Sequence, residues 1–276
     1  MSKANETLKL IVGRMAEAVL PELGREIDEG RNNGRAARLK RAIVYARLRR
    51  AQAQGDPAAV ENALSAFWKG ASGDRFFSRY ADDRFNMFRE NHAVVIEALA
   101  ERLEASGIRF SRLVEIGCGE GAVLEYCAER LPGLSQAVGL DINAAVVVDA
   151  QARQPAGGKV SFVNTDARDW LAANPQPGTI LLSNGGVLEY FSQGAFDRLL
   201  QALAAAPPAA IVLVEPVAPE HDLAVQTQSF NFGIENSFSH HHRHRLEQAG
   251  FEVVFEEEKL IWQHRGVMMI GVRKGA

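Results

Sequence analysis

The sequence predicts an α/β fold: an open, mostly parallel seven-stranded sheet with helices on both faces, preceded by a helical N-terminal region. Three observations predict it. From Arg112 onward short apolar runs alternate with helical segments. A glycine-rich loop follows the first of those runs, and everything before about residue 105 shows only the 3.6-residue spacing of helices.

The chain has 276 residues, 47% hydrophobic and 24% charged, with a formal net charge of -3. That length allows one core domain with an appended helical part, expected as residues 106–276 and 1–105. It can bury a substantial core without disulfides or a structural metal. The charge balance excludes a polycation. The cysteines Cys118 and Cys127 form no disulfide framework, which fits a reducing compartment. The N-terminal MSKANETLKL lacks a signal-peptide apolar stretch, and no long apolar run suggests a membrane span. A cytoplasmic protein without a membrane partner is expected.

In the N-terminal region Leu8, Ile11, Val12, Met15, Val19 and Leu23 recur at helical spacing, with Pro21 as a break or kink. Arg35–Gln54 forms a second helical stretch. Asp56-Pro57 opens a third, as an N-cap followed by proline at the first helical position, burying Val60, Leu64 and Phe67. A fourth helix runs from about Asp83 to Ser106, with Phe85, Phe88, His92, Val95, Ile96, Leu99 and Leu103 on one face. Between Arg31 and Arg50 eight basic residues stand with no acid among them. Such a segment could attract nucleic acid or an anionic partner. It could equally pair with Glu22, Glu26, Asp28 and Glu29. Tyr45 is its one aromatic residue, too little for a base-stacking platform, so nucleic acid is not the expected partner. The N-terminal helices could also serve a homodimer.

In the core, strands are expected near 112–117, 136–141, 159–163, 179–184 and 210–215. Helices are expected near 121–131, 143–153, 166–173 and 195–206. Two later strands, near 251–258 and 267–273, have no helix between them and are expected as an antiparallel edge hairpin.

The most informative segment is Leu113-Val-Glu-Ile-Gly-Cys-Gly-Glu-Gly-Ala-Val-Leu124. A buried strand ends in Gly117, Gly119 and Gly121, whose freedom of φ lets a ligand approach the backbone. Ligands of open α/β sheets bind at the carboxyl ends of strands where the strand order reverses. Gly117 to Ala122 also satisfies the loose dinucleotide pattern, so the glycines alone do not choose the cofactor. Glu120 would repel a pyrophosphate at the helix N-terminus and favours a ligand without phosphate. Glu115 adds a carboxylate near the cationic end of such a ligand. The second strand ends in Asp141, placed to accept from both ribose hydroxyls, with Ile142 against the adenine. After the third, Asp166 can accept from the adenine amine, and the Ala167 backbone can read the ring edge.

Taken in order, Val114-Glu-Ile-Gly-Cys-Gly-Glu-Gly121, Gly139-Leu-Asp141 and Asp166-Ala167 resemble the class I, Rossmann-like S-adenosylmethionine-dependent methyltransferase family over roughly residues 85–276. The resemblance implies S-adenosylmethionine as cofactor and S-adenosylhomocysteine as product. It implies cofactor binding by Glu115, Gly117, Cys118, Gly119, Asp141, Ile142, Asp166, Ala167 and Asn184. The fourth strand ends Ser183-Asn-Gly-Gly-Val-Leu-Glu-Tyr190, without the Asn/Asp-Pro-Pro-aromatic motif of many nucleic-acid and protein N-methyltransferases. That departure points to a small-molecule acceptor, on oxygen before nitrogen, with Glu189 and Tyr190 lining its pocket. Tyr80 and Arg84, before the core, could close over it.

A hydroxyl acceptor calls for a general base, and histidine suits that. Four of the seven histidines lie in Phe238-Ser-His-His-His-Arg-His244, so His240, His241 and His242 are the candidates. His240 and His244 share a face if a helix begins by Ser239. Glu215 and His221 are weaker candidates. No metal site is expected, because no paired acids stand near the histidines. An RNA methyltransferase docking through residues 31–50 and a non-catalytic cofactor-binding module remain alternatives.

Overall fold

The computed structural model describes residues 3–29, 36–70, 83–131, 133–154, 157–233, 236–261 and 264–275. The chain divides into two compact units, Met1–Arg79 and Tyr80–Ala276.

The first unit is helical: α1 (Lys3–Val19), α2 (Pro21–Asp28), α3 (Ala37–Gln54) and α4 (Pro57–Lys69). Its core gathers Ala16, Leu23, Ile27 and Ile43. Pro21 stands in the first turn of α2 and so separates that helix from α1. Asp56 caps α4, its Oδ1 accepting from Ala59 N at 3.0 Å. One expectation about burial changes here: Phe67 is exposed on α4. Leu8, Ile11, Met15 and Val19 are exposed along α1. The basic run is partly neutralised within the unit. Lys40 pairs with Glu26 at 2.5 Å, and Arg47 pairs with Glu17 and Asp28, each at 2.6 Å. Arg31 and Arg35 lie outside the described residues.

The second unit opens with a helical turn over 83–87 and a π-helical turn, Phe88–His92. Then come α5 (Val94–Ser106), β1 (Arg112–Ile116), α6 (Ala122–Arg130), β2 (Gln136–Asp141), α7 (Ala144–Arg153) and β3 (Val160–Asn164). The second half holds α8 (Ala167–Ala173), β4 (Thr179–Asn184), α9 (Gln193–Ala204), β5 (Ala209–Pro216), β6 (Phe230–Phe232), β7 (Ser237–Ser239), α10 (His242–Gln248), β8 (Glu252–Ile261) and β9 (His264–Arg273).

Seven strands form one sheet in the order β3-β2-β1-β4-β5-β9-β8. The first five are parallel, and β9 and β8 add the antiparallel edge hairpin. Every residue of β1 and β5 is buried, as strands covered on both faces require. One face packs Val95, Ile96, Leu99, Leu124, Val147 and Ala150 from α5, α6 and α7. The other packs Leu171, Phe196, Leu199, Leu203 and Leu246 from α8, α9 and α10.

The boundary between the units falls at residue 79, ahead of the expected 105, for a packing reason. Helix α5 buries Val95, Ile96 and Leu99 in the sheet core, and Arg102 Nε donates to Val254 O of β8 at 3.0 Å. The expected fourth helix is interrupted by the π-helical turn, closed by Ala93 N donating to Phe88 O at 2.8 Å. The small sheet of β6 and β7 lies between β5 and α10, where no strands were expected.

Candidate functional site

The strand order reverses between β1 and β4, with β2 beyond one and β5 beyond the other. This is the switch point at which open α/β sheets bind ligands. The chain supplies four features there: the loop 117–121 after β1, Asp141 closing β2, the segment 184–190 after β4, and Glu215 near the end of β5.

The loop is held by its own backbone. Gly117, Gly119 and Gly121 have φ of 63°, 54° and 85°, all left-handed. A Cβ on Gly121 would stand 2.2 Å from the Phe162 ring, and one on Gly117 would stand 2.6 Å from Val187. Cys118 N donates to Leu140 O at 3.2 Å, tying the loop to β2. Burial pushes the Cys118 thiol well up, with Asp141 and Glu115 adding to it, so it remains a neutral packing group.

Asp141 is 5% exposed. Its Oδ2 accepts from Gly119 N at 3.1 Å and its Oδ1 from Asn143 N at 2.8 Å. The carboxylate thus clasps the glycine loop to the tip of β2. Burial raises its pKa, while the two backbone N–H groups and nearby Arg84 pull it back. Each oxygen keeps a second lone pair, which suits a ligand presenting two adjacent hydroxyls. Ile142 is half-buried beside it.

Glu115 is buried in β1. It shares a strand face with Leu113, which lies in the core beneath α5 and α6. A hydrogen bond from the Leu124 backbone and the Arg84 charge favour its ionised form, but burial outweighs them and holds the carboxyl well above its usual range. Its Oε2 is enclosed without a partner.

Glu120 does not stand as a bare carboxylate. Arg84 Nη2 donates to its Oε2 at 2.6 Å, so the repulsion of phosphate expected from Glu120 is offset by a cation. Arg84 therefore lies at the glycine loop, ahead of β1 in sequence but beside it in space. Tyr80 lies outside the described residues.

At β3, Asp166 caps α8 through Arg168 N at 2.9 Å, and the Arg168 side chain grips the same carboxylate at 2.5 Å. Ala167 is buried behind it. Asp166 remains partly exposed, although its charge is shared with Arg168.

Beyond β4 the segment 185–190 is fastened by a residue that sequence reasoning placed only weakly. Glu215 is fully buried. It accepts from the Ser183 hydroxyl, from Val187 N at 3.2 Å and from Leu188 N at 3.1 Å. Burial, aided by the charge of Glu189, pushes its carboxyl up to about 8 against the pull of these donors. Glu189 and Tyr190 are half-buried on the short 3-10 turn that Glu215 holds. Glu215 is 32 residues from Ser183, so no local spacing could have shown this contact.

The histidine cluster lies inside the protein. His240 is fully buried, with Nδ1 at 2.7 Å from Ser229 Oγ and Nε2 at 3.0 Å from Leu188 O. Both of its nitrogens are thus taken up by the protein. Burial lowers its pKa to about 4. His241 caps α10, accepting from His244 N at 3.2 Å. The helix begins at His242, not by Ser239, so His240 does not lie on it. His242 is buried between His240 and Phe196, and burial drives its pKa well down. His221 bridges Ser239 Oγ at 2.7 Å and Gln226 O at 2.9 Å. These rings brace the segment between β5 and α10. Among the described residues, no group of three or more His, Cys, Asp or Glu is placed to hold a metal ion.

Asn184, by contrast, closes β4 next to the loop, because Ser183 pairs with Ile116 directly before Gly117. Near it stands a residue with no assigned site role in the sequence, His92 of the π-helical turn.

Comparison with known proteins adds a likeness to this geometry. Residues 113–207 match the family described as a methyltransferase domain. That match covers about a third of the chain. The chain is 36% identical over 98 residues to a trans-aconitate 2-methyltransferase of Paracidovorax citrulli, covering 34% of this chain and 35% of that protein. It is 31% identical over 126 residues to a trans-aconitate 2-methyltransferase of Streptomyces avermitilis, covering 45% and 42%. The chain thus spans well under half the length of the curated relatives it matches. In fold it is similar to magnesium protoporphyrin IX methyltransferase from Synechocystis with bound S-adenosylmethionine. That likeness has a TM-score of 0.52 at 18% identity and covers 78% of this chain and 97% of that one.

The fold neighbour with bound S-adenosylmethionine makes that cofactor the one to test against these residues. The residues present fit it. Asp141 offers two spare lone pairs at the β2 tip, and a side chain at Gly117 or Gly121 would strike Val187 or Phe162 and shift the loop beside it. The nearby cation Arg84 is already paired with Glu120.

Proposed function

We propose that the chain is a methyltransferase that moves a methyl group from S-adenosylmethionine to a small-molecule acceptor in the cytoplasm, on oxygen in preference to nitrogen. The observation that carries this reading is the clasp of Asp141 over the glycine loop at the switch point. When bound, the cofactor supplies a methyl group on a sulfonium, open to direct in-line displacement. The chain's own residues supply alignment and exclusion of water. Asp141 holds the ribose end, Gly117 and Gly119 give backbone contact, and Glu215 fixes the segment 185–190 that borders the acceptor side.

Two observations support a small acceptor over a nucleic acid. The segment after β4 lacks the Pro-Pro-aromatic pattern of base-methylating enzymes. The basic helix α3 spends Lys40 and Arg47 on acids of its own unit. The relatives named for trans-aconitate make that tricarboxylate the first acceptor to try. The no-metal expectation is kept, since in-line transfer from a sulfonium needs no Lewis acid.

The test is formation of S-adenosylhomocysteine, with the protein incubated with S-adenosylmethionine and, separately, trans-aconitate, small hydroxylated acids, phenols, amines and a structured RNA. Turnover with one oxygen-bearing small molecule is expected. Turnover with RNA alone would reverse the assignment of acceptor. Tight cofactor binding with no turnover on any acceptor would favour a non-catalytic module.

A further inference from the structure

Helix α1 has two unlike faces. Gly13 lies against α3, where a Cβ would stand 2.0 Å from Ala42 O. Met15 points the opposite way, since two residues turn an α-helix by about 200°. It belongs to a stripe of Leu8, Ile11, Met15 and Val19, spaced by three, four and four residues and so on one face. All four are exposed, from 49% at Ile11 to 73% at Val19. A contiguous apolar row held in water marks a place of contact.

The borders of the stripe are basic. Lys9 flanks one side and Arg14 the other, and both are exposed. The acid Glu17 is taken up by Arg47 at 2.6 Å. Arg38 and Arg41 of α3 are exposed as well. The unit Met1–Arg79 contains 15 basic and 9 acidic residues, against 16 and 25 in Tyr80–Ala276. The stripe is thus an apolar ridge on the basic unit of an otherwise acidic chain.

A second copy of the chain fits this ridge poorly. An antiparallel pairing of the stripe with itself centres near Gly13 and sets Arg14 beside its own copy. A parallel pairing sets Arg14 beside Lys9, so both arrangements oppose base to base. The four side chains expose on the order of 400 Å², half of the roughly 800 Å² per partner in a stable protein interface. No aromatic residue is present to anchor a protein partner. A lipid surface needs neither the area nor the anchor. A short aliphatic row sinks into the boundary between headgroups and acyl chains, and bases along its edge meet anionic headgroups.

We propose that α1 docks the protein on an anionic lipid surface, with Leu8, Ile11, Met15 and Val19 dipping into the boundary and Lys9 and Arg14 meeting the headgroups. Among the described residues no helix is long and apolar enough to cross a membrane, so the contact is peripheral. The sequence expectation of no membrane partner considered spanning segments alone. The docking stands independently of the methyl acceptor and of the methyltransferase reading.

The test is co-sedimentation of the full chain with vesicles of phosphatidylcholine alone and of phosphatidylcholine with about 30% phosphatidylserine, at low and high salt. The wild type is expected to bind the anionic vesicles about tenfold more tightly than the neutral ones, and to lose that advantage at high salt. Ile11→Ser with Met15→Ser, at exposed positions, should weaken binding about tenfold with an unchanged thermal melt. Lys9→Gln with Arg14→Gln should weaken it about as much and remove most of the salt dependence. Absence of binding by the wild type, or equal binding by both double variants, overturns the proposal. So does a concentration-dependent dimer in light scattering that Ile11→Ser with Met15→Ser abolishes, which would assign the stripe to a second copy. If that variant fails to fold, the Lys9 and Arg14 pair and the lipid and salt comparisons on the wild type still decide it.

Discussion

The two sides of the switch point are built differently. On the β1–β2 side, the loop 117–121 and Asp141 lie within one short stretch, and each contact joins a backbone N–H to a carboxylate or a carbonyl. On the β4–β5 side, Asn184, Glu215 and His92 come from three separate elements. The proposed cofactor side is thus fixed by local sequence, whereas the proposed acceptor side is assembled by tertiary structure. The cofactor is constant chemistry and can be held by a short motif. An acceptor site that differs between enzymes draws on side chains from wherever the fold brings them.

The largest effect should come from breaking the β4–β5 side at its staple. Glu215→Ala leaves the Ser183 hydroxyl, Val187 N and Leu188 N without their shared acceptor in a fully buried place. A loss of about 3 kcal/mol or more is expected in denaturant unfolding. A loss under about 1 kcal/mol would mean that the segment 185–190 holds itself. Next is Gly121→Ala on the other side. It must adopt φ near 85° and displace the Phe162 ring. A destabilisation of about 2 kcal/mol and weaker cofactor binding are expected by melting and titration.

A third measurement sharpens the contrast through pH. The folded-state pKa of Glu215 is raised from 4.5 to about 8. Its contribution to stability is therefore full below about pH 4.5 and is lost as pH rises through about 8. Glu215→Gln should flatten that decline in melting temperature. His92 and His240 act in the opposite sense. Their folded pKa values are lowered from 6.5 to about 4, so their contribution is full above about 6.5 and is lost as pH falls through about 4. His240→Gln should blunt the acid limb and leave the alkaline one alone. The smallest effect is expected for Lys40→Met in the N-terminal unit, about 1 kcal/mol or less, with cofactor affinity unchanged.

Legibility in the sequence followed the same division. The strands of the sheet, the edge hairpin and the capped start of α4 were readable, because each rests on a local period or a capping pair. The glycine loop and Asp141 were readable for the same reason. Four features were not. The π-helical turn keeps the same apolar spacing as an α-helix, so it left no trace around His92. The joining of α5 to the sheet unit depends on partners such as Val254, far along the chain. Glu215 reads as a strand-end acid until Ser183 is seen beside it. The histidine run looked like chemistry because histidines were dense there, yet density does not reveal that Ser229 and Leu188 take both nitrogens of His240. Arg84 shows the reverse case. It is expected at the acceptor pocket, but it lies at the glycine loop on Glu120, which the sequence leaves as an unpaired charge.

The central claim is that Asp141 binds the ribose of S-adenosylmethionine while clasping the loop. Calorimetric titration of the wild type and Asp141→Ala with S-adenosylmethionine, beside a nicotinamide dinucleotide control, tests it most directly. One-to-one binding of S-adenosylmethionine is predicted, about a hundredfold weaker in a variant that still melts cooperatively, as two lost charged hydrogen bonds imply. Equal affinity in the two proteins, or preference for the dinucleotide, would contradict it.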